Sequence, residues 1–161
     1  MESIRGRGTV FEIFFPAIKR AEPQAVFEDA PLRGGHERIL VVDDEPALTE
    51  ILSKILERMG YEVEGLTNVE DALAIFRGRA GEKPFDLVIT DMTMPRVTGI
   101  ELAEKLHCLQ PNLPIILCTG FSEKITLQKI KSLGIRAVLM KPVSPQELSE
   151  AVRKALDERS E

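Results

Sequence analysis

The residues able to do chemistry stand in four short clusters, Asp43-Asp44, Asp91, Thr119 and Lys141. If a fold gathers them, these carboxylates, hydroxyl and ammonium suit the handling of a phosphoryl group. Two unit negative charges about 4 Å apart repel by roughly 4 kcal/mol at an effective dielectric of about 20. Three carboxylates on one rim therefore need a counterion, and a hard divalent cation with oxygen ligands, Mg2+, is the natural one. Asp91 is the candidate nucleophile, because a carboxylate can accept phosphoryl as an acyl phosphate. Asp44 would ligate the metal directly and Asp43 directly or through water, with the backbone carbonyl of Thr93 as a further ligand. Thr119 can donate a hydrogen bond to a phosphoryl oxygen, and Lys141 can neutralise charge building on the transferring group.

What would bring them together is a repeated element pattern from Arg38 onward. The runs Ile39–Val42, Tyr61–Leu66, Phe85–Thr90, Pro114–Cys118 and Ala137–Met140 read as strands. Four are short and apolar, as expected of parallel strands covered on both faces. The second alternates Glu62 and Glu64 with Val63, which predicts an edge position. Between them lie amphipathic stretches. Pro46 opens one, Leu48, Ile51, Leu52, Ile55, Leu56 and Met59 recur along it at helical spacing, and Gly60 stops it. Ser144-Pro145-Gln146-Glu147 is a capping box for the last helix, whose buried stripe is Leu148, Ala151, Val152, Ala155 and Leu156. Weaker helices are predicted after Asn68, Gly99 and Ser122. Five strand–helix units imply an α/β fold, a doubly wound parallel sheet with right-handed crossovers. Such sheets bind ligands at the carboxyl ends of their strands, where every cluster above is expected. Singly, each residue has an ordinary explanation as a helix-dipole partner, a turn residue or a solvated lysine; the functional reading rests on their coincidence at one edge.

Residues 37–159 resemble a response-regulator receiver domain along their whole length. The resemblance is carried by Ile39-Leu40-Val41-Val42-Asp43-Asp44-Glu45, Asp91-Met92-Thr93-Met94-Pro95 with Gly99, Thr119-Gly120 and Lys141-Pro142. It implies a flavodoxin-like (βα)5 sheet of strand order 2-1-3-4-5 and a cis Lys141–Pro142 peptide. It also implies Asp91 as phosphoacceptor, Asp43 and Asp44 as the magnesium acids, and Thr119 and Lys141 as switch and charge-stabilising residues. The implied partner is a phosphohistidine donor domain. Many members carry an aromatic residue where this chain has Val138, so an aromatic swing is not expected as the readout. The Thr119 loop and the surface of the last helices are expected to signal instead. Phe121 and Thr93 are expected to tune the lifetime of the phosphorylated state.

Residues 1–36 are different in character. Gly6-Arg7-Gly8-Thr9-Val10-Phe11-Glu12-Ile13-Phe14-Phe15-Pro16 resembles the closing segment of a histidine-kinase ATP-binding domain. Val10–Phe15 is predicted as a strand ended by Pro16, and residues 17–36 as a linker. The implied organisation is a kinase remnant over 1–16, a linker over 17–36 and a receiver over 37–159, as in a hybrid sensor kinase. No kinase activity is expected, and neither His36 nor His107 reads as a phosphodonor. Without its parent domain the apolar arm is expected to be disordered or docked on another surface, a homodimer partner included.

The bulk numbers are consistent with this. The 161 residues suit one domain with length to spare, and a net charge of -5 argues against nonspecific nucleic-acid binding. No apolar run approaches bilayer length, no signal peptide is evident, and Cys108 and Cys118 make no disulfide framework, so a reducing cytoplasm is expected without membrane contact. The chain ends at Glu161 just after the last predicted helix, so no DNA-binding output domain is expected. The other readings are a single-domain regulator with an N-terminal arm, an aspartyl-phosphate phosphatase and a receiver-shaped scaffold that accepts no phosphate. The phosphatase pattern wants a second aspartate two positions after the first; Glu45 stands there.

Overall fold

The computed structural model describes residues 2–4, 8–10, 12–14, 32–78, 83–120 and 132–158. The chain divides into two compact units, Met1–Ala30 and Pro31–Glu161. In the first, β1 (Glu2–Ile4) pairs antiparallel with β2 (Gly8–Val10). The predicted strand Val10–Phe15 is therefore displaced: among its described residues only Val10 belongs to a strand, and residues 12–14 are irregular. Glu2–Ile4 offers Gly8–Val10 a backbone partner, whereas residues 12–14 form no ladder among the described residues, and apolar character alone does not hold an unpaired strand. Ile13 and Phe14 are exposed. Part of the kinase-like tail and most of the predicted linker, including residues 15–31, lie outside the described residues, as do Phe121 and the helix predicted after Ser122.

The second unit carries β3 (Arg38–Val42), α1 (Pro46–Arg58), β4 (Glu62–Leu66), α2 (Val69–Gly78), β5 (Leu87–Asp91), α3 (Gly99–Leu109), β6 (Ile115–Thr119), β7 (Ile135–Met140) and α4 (Pro145–Asp157). Its five strands are all parallel and lie in the order β4-β3-β5-β6-β7, which is 2-1-3-4-5 counted within the sheet. The predicted fold class is the observed one. Strand alternation divides the core cleanly. Ile39, Val41, Leu87, Ile89, Ile116 and Cys118 face α1 and α4. Leu40, Val42, Val88, Ile115 and Leu117 face α2 and α3. β4 is an edge strand, as its glutamates predict. β7 is the other edge, and it is less covered than its sequence suggests: Arg136, Val138 and Met140 are exposed along one face.

Local chemistry sets the helix ends. Pro46 occupies the first turn of α1, and Gly60 follows it with φ 97°, a left-handed conformation that costs glycine little. Ser144 and Glu147 form the predicted capping box of α4. A second box, Thr98 with Glu101, starts α3 and was equally readable from its Thr-x-x-Glu spacing. Among the described residues, no helix is long and apolar enough to cross a membrane.

Candidate functional site

The carboxyl ends of four neighbouring strands meet at one edge. Asp43 follows β3, Asp91 is the last residue of β5, Thr119 is the last residue of β6, and Lys141 follows β7. The strands β5 and β6 thus run one residue further than predicted, so that Asp91 and Thr119 are positioned by the ladder itself rather than by a loop. That fixes their backbones more tightly than the sequence reading required.

The side chains converge. Lys141 Nζ lies 2.7 Å from Asp43 Oδ2 and 2.5 Å from Asp91 Oδ1. Burial opposes charge on Lys141, but the hydrogen bonds and charges of Asp43 and Asp91 outweigh it and hold its pKa above the ordinary lysine value. Asp91 Oδ2 accepts a hydrogen bond from the Thr93 N–H at 2.8 Å. Asp43 Oδ1 accepts from the Glu45 N–H at 3.0 Å, and the Asp43 carbonyl accepts from the Thr49 hydroxyl at 2.9 Å, tying the acid to the first turn of α1. The Lys141 N–H donates to the Thr119 carbonyl at 2.7 Å, and the Lys141–Pro142 peptide is cis. Asp91 is nearly buried, yet its side chain keeps 8% of its surface exposed, so the carboxylate is not sealed from solvent.

The turn after Asp91 is tight. The Gly99 N–H donates to the Met92 carbonyl at 3.0 Å. A Cβ on Gly99 would lie 2.2 Å from the Asp91 carbonyl oxygen, so the start of α3 reaches the acceptor strand only because that side chain is absent. Within the same turn the Val97 N–H donates to the Pro95 carbonyl at 2.9 Å, and Arg96 between them has φ 69°. An i→i+2 bond around a positive φ is the strained hand of the three-residue turn. Gly99 was part of the motif read from sequence, but its steric role was not; nothing in the residue types announced the strain at Arg96.

The structure brings Asp43 and Asp91 together on one cation but does not add Asp44, and no group of three acidic, histidine or cysteine side chains forms a metal cluster among the described residues. Asp44 is exposed and lines a neighbouring cleft of about 230 Å³ with Thr67, Asn68, Glu70, Met94 and Arg96. The physical reason is charge balance: the ammonium already sits between the two buried acids, so Asp44 gains nothing by leaving water. The donors nevertheless fit Mg2+. Two anionic oxygens, from the ends of the neighbouring strands β3 and β5, reach one cation, the Lys141 ammonium, and carboxylate oxygens are the hard ligands that Mg2+ prefers. Thr93 is exposed.

Cys118 is buried in the core, where burial pushes its thiol up to about 12 against the pull of Lys141, so it remains protonated at neutral pH. Val138 is on the exposed face of β7.

Known proteins are similar to this chain in sequence and fold. The response regulator receiver domain family matches residues 39–153. The sporulation initiation phosphotransferase F of Bacillus subtilis (strain 168) is 32% identical over 125 residues, spanning 78% of this chain and 98% of that protein. A CheY-like response regulator receiver domain protein from Methanospirillum hungatei JF-1 superposes with a TM-score of 0.69 at 36% identity, covering 78% of this chain and 98% of that one. The response regulator TrrA from Thermotoga maritima, solved in complex with Mg(2+)-BeF, gives a TM-score of 0.65 at 36% identity over 74% of this chain and 99% of its own. With the parallel sheet and its strand order in agreement with a match of this extent, the chain belongs to the response regulator receiver domain family.

Proposed function

We propose that this receiver takes a phosphoryl group from a phosphohistidine donor onto Asp91 and signals through the change that follows. The observation that carries the reading is the Lys141 ammonium held between Asp91 Oδ1 and Asp43 Oδ2 at one strand edge. An Asp91 oxygen attacks phosphorus; the new O–P bond forms as the N–P bond to the donor imidazole breaks, and the imidazole nitrogen keeps the electron pair. With acetyl phosphate as donor, the broken bond is O–P and acetate leaves. Lys141 then neutralises charge on the phosphoryl oxygens, and the Thr119 hydroxyl donates to one of them. Mg2+, held by Asp43, Asp44, Asp91 and the Thr93 carbonyl, would offset the remaining negative charge. Attack by water later releases phosphate and restores the carboxylate, so the chain modifies only itself.

The N-terminal unit supports a further proposal, that the chain is the C-terminal receiver of a cytoplasmic hybrid sensor kinase. Residues 1–16 then represent the end of the ATP-binding domain and 17–36 a linker. The paired strand Gly8–Val10 and the exposed Ile13 and Phe14 favour an arm evolved against a partner surface, which could also be a second copy of the chain. The genomic reading frame upstream of Met1 separates this from a single-domain regulator.

Intact-mass measurement after incubation with acetyl phosphate and Mg2+ tests the main reading. The wild type is expected to gain one phosphoryl group and Asp91→Asn none. Equal gain in both, or none in either, would overturn the assignment. Turnover of phosphate monoesters would instead favour the phosphatase reading.

A further inference from the structure

The residues just ahead of β3 are held far more firmly than a linker requires. Gly34 lies so close to the end of α1 that a Cβ on it would come within 1.8 Å of the Met59 carbonyl oxygen. The Gly35 N–H donates to that same oxygen at 3.2 Å. On the other flank, the Ser149 hydroxyl of α4 donates to the Arg33 carbonyl at 3.0 Å. Arg153, one turn further along α4, reaches Glu37 Oε1 at 2.8 Å and the Tyr61 hydroxyl at 3.4 Å. Its other terminal nitrogen donates to Asp157 at 2.7 Å. The segment Arg33–Glu37 is thus a strap across α1 and α4, at the edge where the strands begin. Ser149 is buried, and it spends its hydroxyl on a residue far upstream in sequence. That is a built contact rather than a passing one.

The helix that receives the strap also begins at the rim. The N-cap of α4, Ser144, stands three residues after Lys141. At 1.5 Å per residue the helix is a rod about 20 Å long. One end follows the ammonium that holds Asp91; Ser149 stands in the second turn, Arg153 in the third and Asp157 at the far end. When Asp91 bears a phosphoryl group, Lys141 would exchange a carboxylate oxygen for a phosphoryl oxygen, three residues ahead of the α4 N-cap. A packed helix moves as a unit, because its core contacts admit discrete arrangements rather than continuous bending.

We propose that the strap Arg33–Glu37 is where the phosphorylation state of the rim is passed to the chain upstream, with α4 as the carrier. The proposal rests on Asp91 being the phosphoacceptor and goes beyond it by naming the place of readout. Tyr61 supplies a built-in reporter: it is the one tyrosine in a chain without tryptophan, and its hydroxyl meets Arg153.

The test uses the full chain with acetyl phosphate and Mg2+, each sample being weighed intact, followed by hydrogen exchange of residues 32–37 and by Tyr61 fluorescence. In the resting wild type, the Gly35 amide is expected to exchange about tenfold or more slowly than in Gly34→Ala, in which the strap cannot seat. Phosphorylation is expected to change that protection by about fivefold or more and to shift the Tyr61 emission. The double variant Ser149→Ala with Arg153→Gln should take up phosphoryl as the wild type does but lose both responses. It leaves the glycines untouched and so serves should Gly34→Ala fail to fold. A mass gain with unchanged exchange and emission overturns the proposal and leaves the acceptor reading standing. No mass gain in the wild type overturns both.

Discussion

At the carboxyl edge of the sheet Lys141 holds Asp43 and Asp91, while at the opposite edge Arg153 holds Glu37 and Asp157, so each cluster pairs one cation with two carboxylates. Their surroundings differ. The side chains of Asp43 and Asp91 are 3% and 8% exposed, whereas those of Glu37 and Asp157 are 31% and 63% exposed. The surplus negative charge at the rim is therefore kept away from water, and the same surplus at the strap is largely screened. The cations differ too. An ammonium is a compact charge with donors that can be redirected, whereas a guanidinium is a planar fork whose donors are fixed to their acceptors. Arg153 uses both terminal nitrogens on separate partners and adds Tyr61. Equal formal charge thus makes an exchangeable site in one place and a fastener in the other.

Removing the two cations should separate these roles most strongly. Lys141→Met leaves two buried carboxylates without a counter-charge; stability is expected to fall by about 3 kcal/mol. Phosphoryl uptake should slow by roughly a hundredfold. Arg153→Met is expected to cost about 1 kcal/mol and leave uptake unchanged. Urea denaturation and timed intact-mass measurements give both numbers, and equal losses in the two variants would erase the distinction.

The glycines repeat the comparison in steric form. Gly99→Ala drives a methyl group against the Asp91 carbonyl, so a loss of about 2 kcal/mol together with slowed uptake is expected. Gly34→Ala meets the Met59 carbonyl more closely still, at 1.8 Å against 2.2 Å, but the strap can lift away from the surface of α1. Its cost should be about 1 kcal/mol, with uptake preserved. A thermal melt that ranks Gly34→Ala below Gly99→Ala in stability would show the strap to be part of the core.

pH should divide the clusters at opposite ends of the scale. Lys141 has a raised pKa, so its contribution is complete below the unfolded lysine value of about 10.4 and is lost as pH rises through the folded value. Glu37 is lowered: burial works against its charge, but the Arg153 hydrogen bond and charge outweigh that. Its contribution is present above the unfolded glutamate value of about 4.3 and is lost as pH falls through the folded one. Stability–pH curves for Lys141→Met and Glu37→Gln should therefore converge on the wild-type curve on the alkaline and the acid side respectively. Convergence on the same side would contradict the assignment.

The smallest expected effect lies at Arg96. Replacing it by glycine relieves the positive φ, and a gain of about 0.5–1 kcal/mol is expected in chemical denaturation, offset in part by the freer unfolded chain. A loss instead would mean that the arginine side chain stabilises the turn through its own contacts.

Much of the fold was legible because its signals are local. Ile39–Val42 alternates between two covered faces, Pro46 and Gly60 bracket a helix, and Ser144 with Glu147 caps another; each needs only neighbouring residues. The rim was legible for a related reason, since a parallel sheet puts the residues after successive apolar runs on one edge. Less was legible where the partner is remote. Gly8–Val10 pairs with Glu2–Ile4, which carries little strand signal of its own, and the more apolar Ile13 and Phe14 stay exposed. Gly34 and Gly35 read as linker glycines because the Met59 carbonyl that they approach belongs to a separate helix.

The amino-acid sequence by itself determined the class of fold, the order of its elements and the residues offered at the rim, because periodicity, caps and strand ends are properties of short stretches. Tertiary structure decided which charges pair. Only packing brings Lys141 between Asp43 and Asp91, leaves Asp44 in water, and lays Arg33–Glu37 across α1 and α4. Coulomb interactions depend on distance and burial, and the linear order of residues specifies neither until the chain has folded.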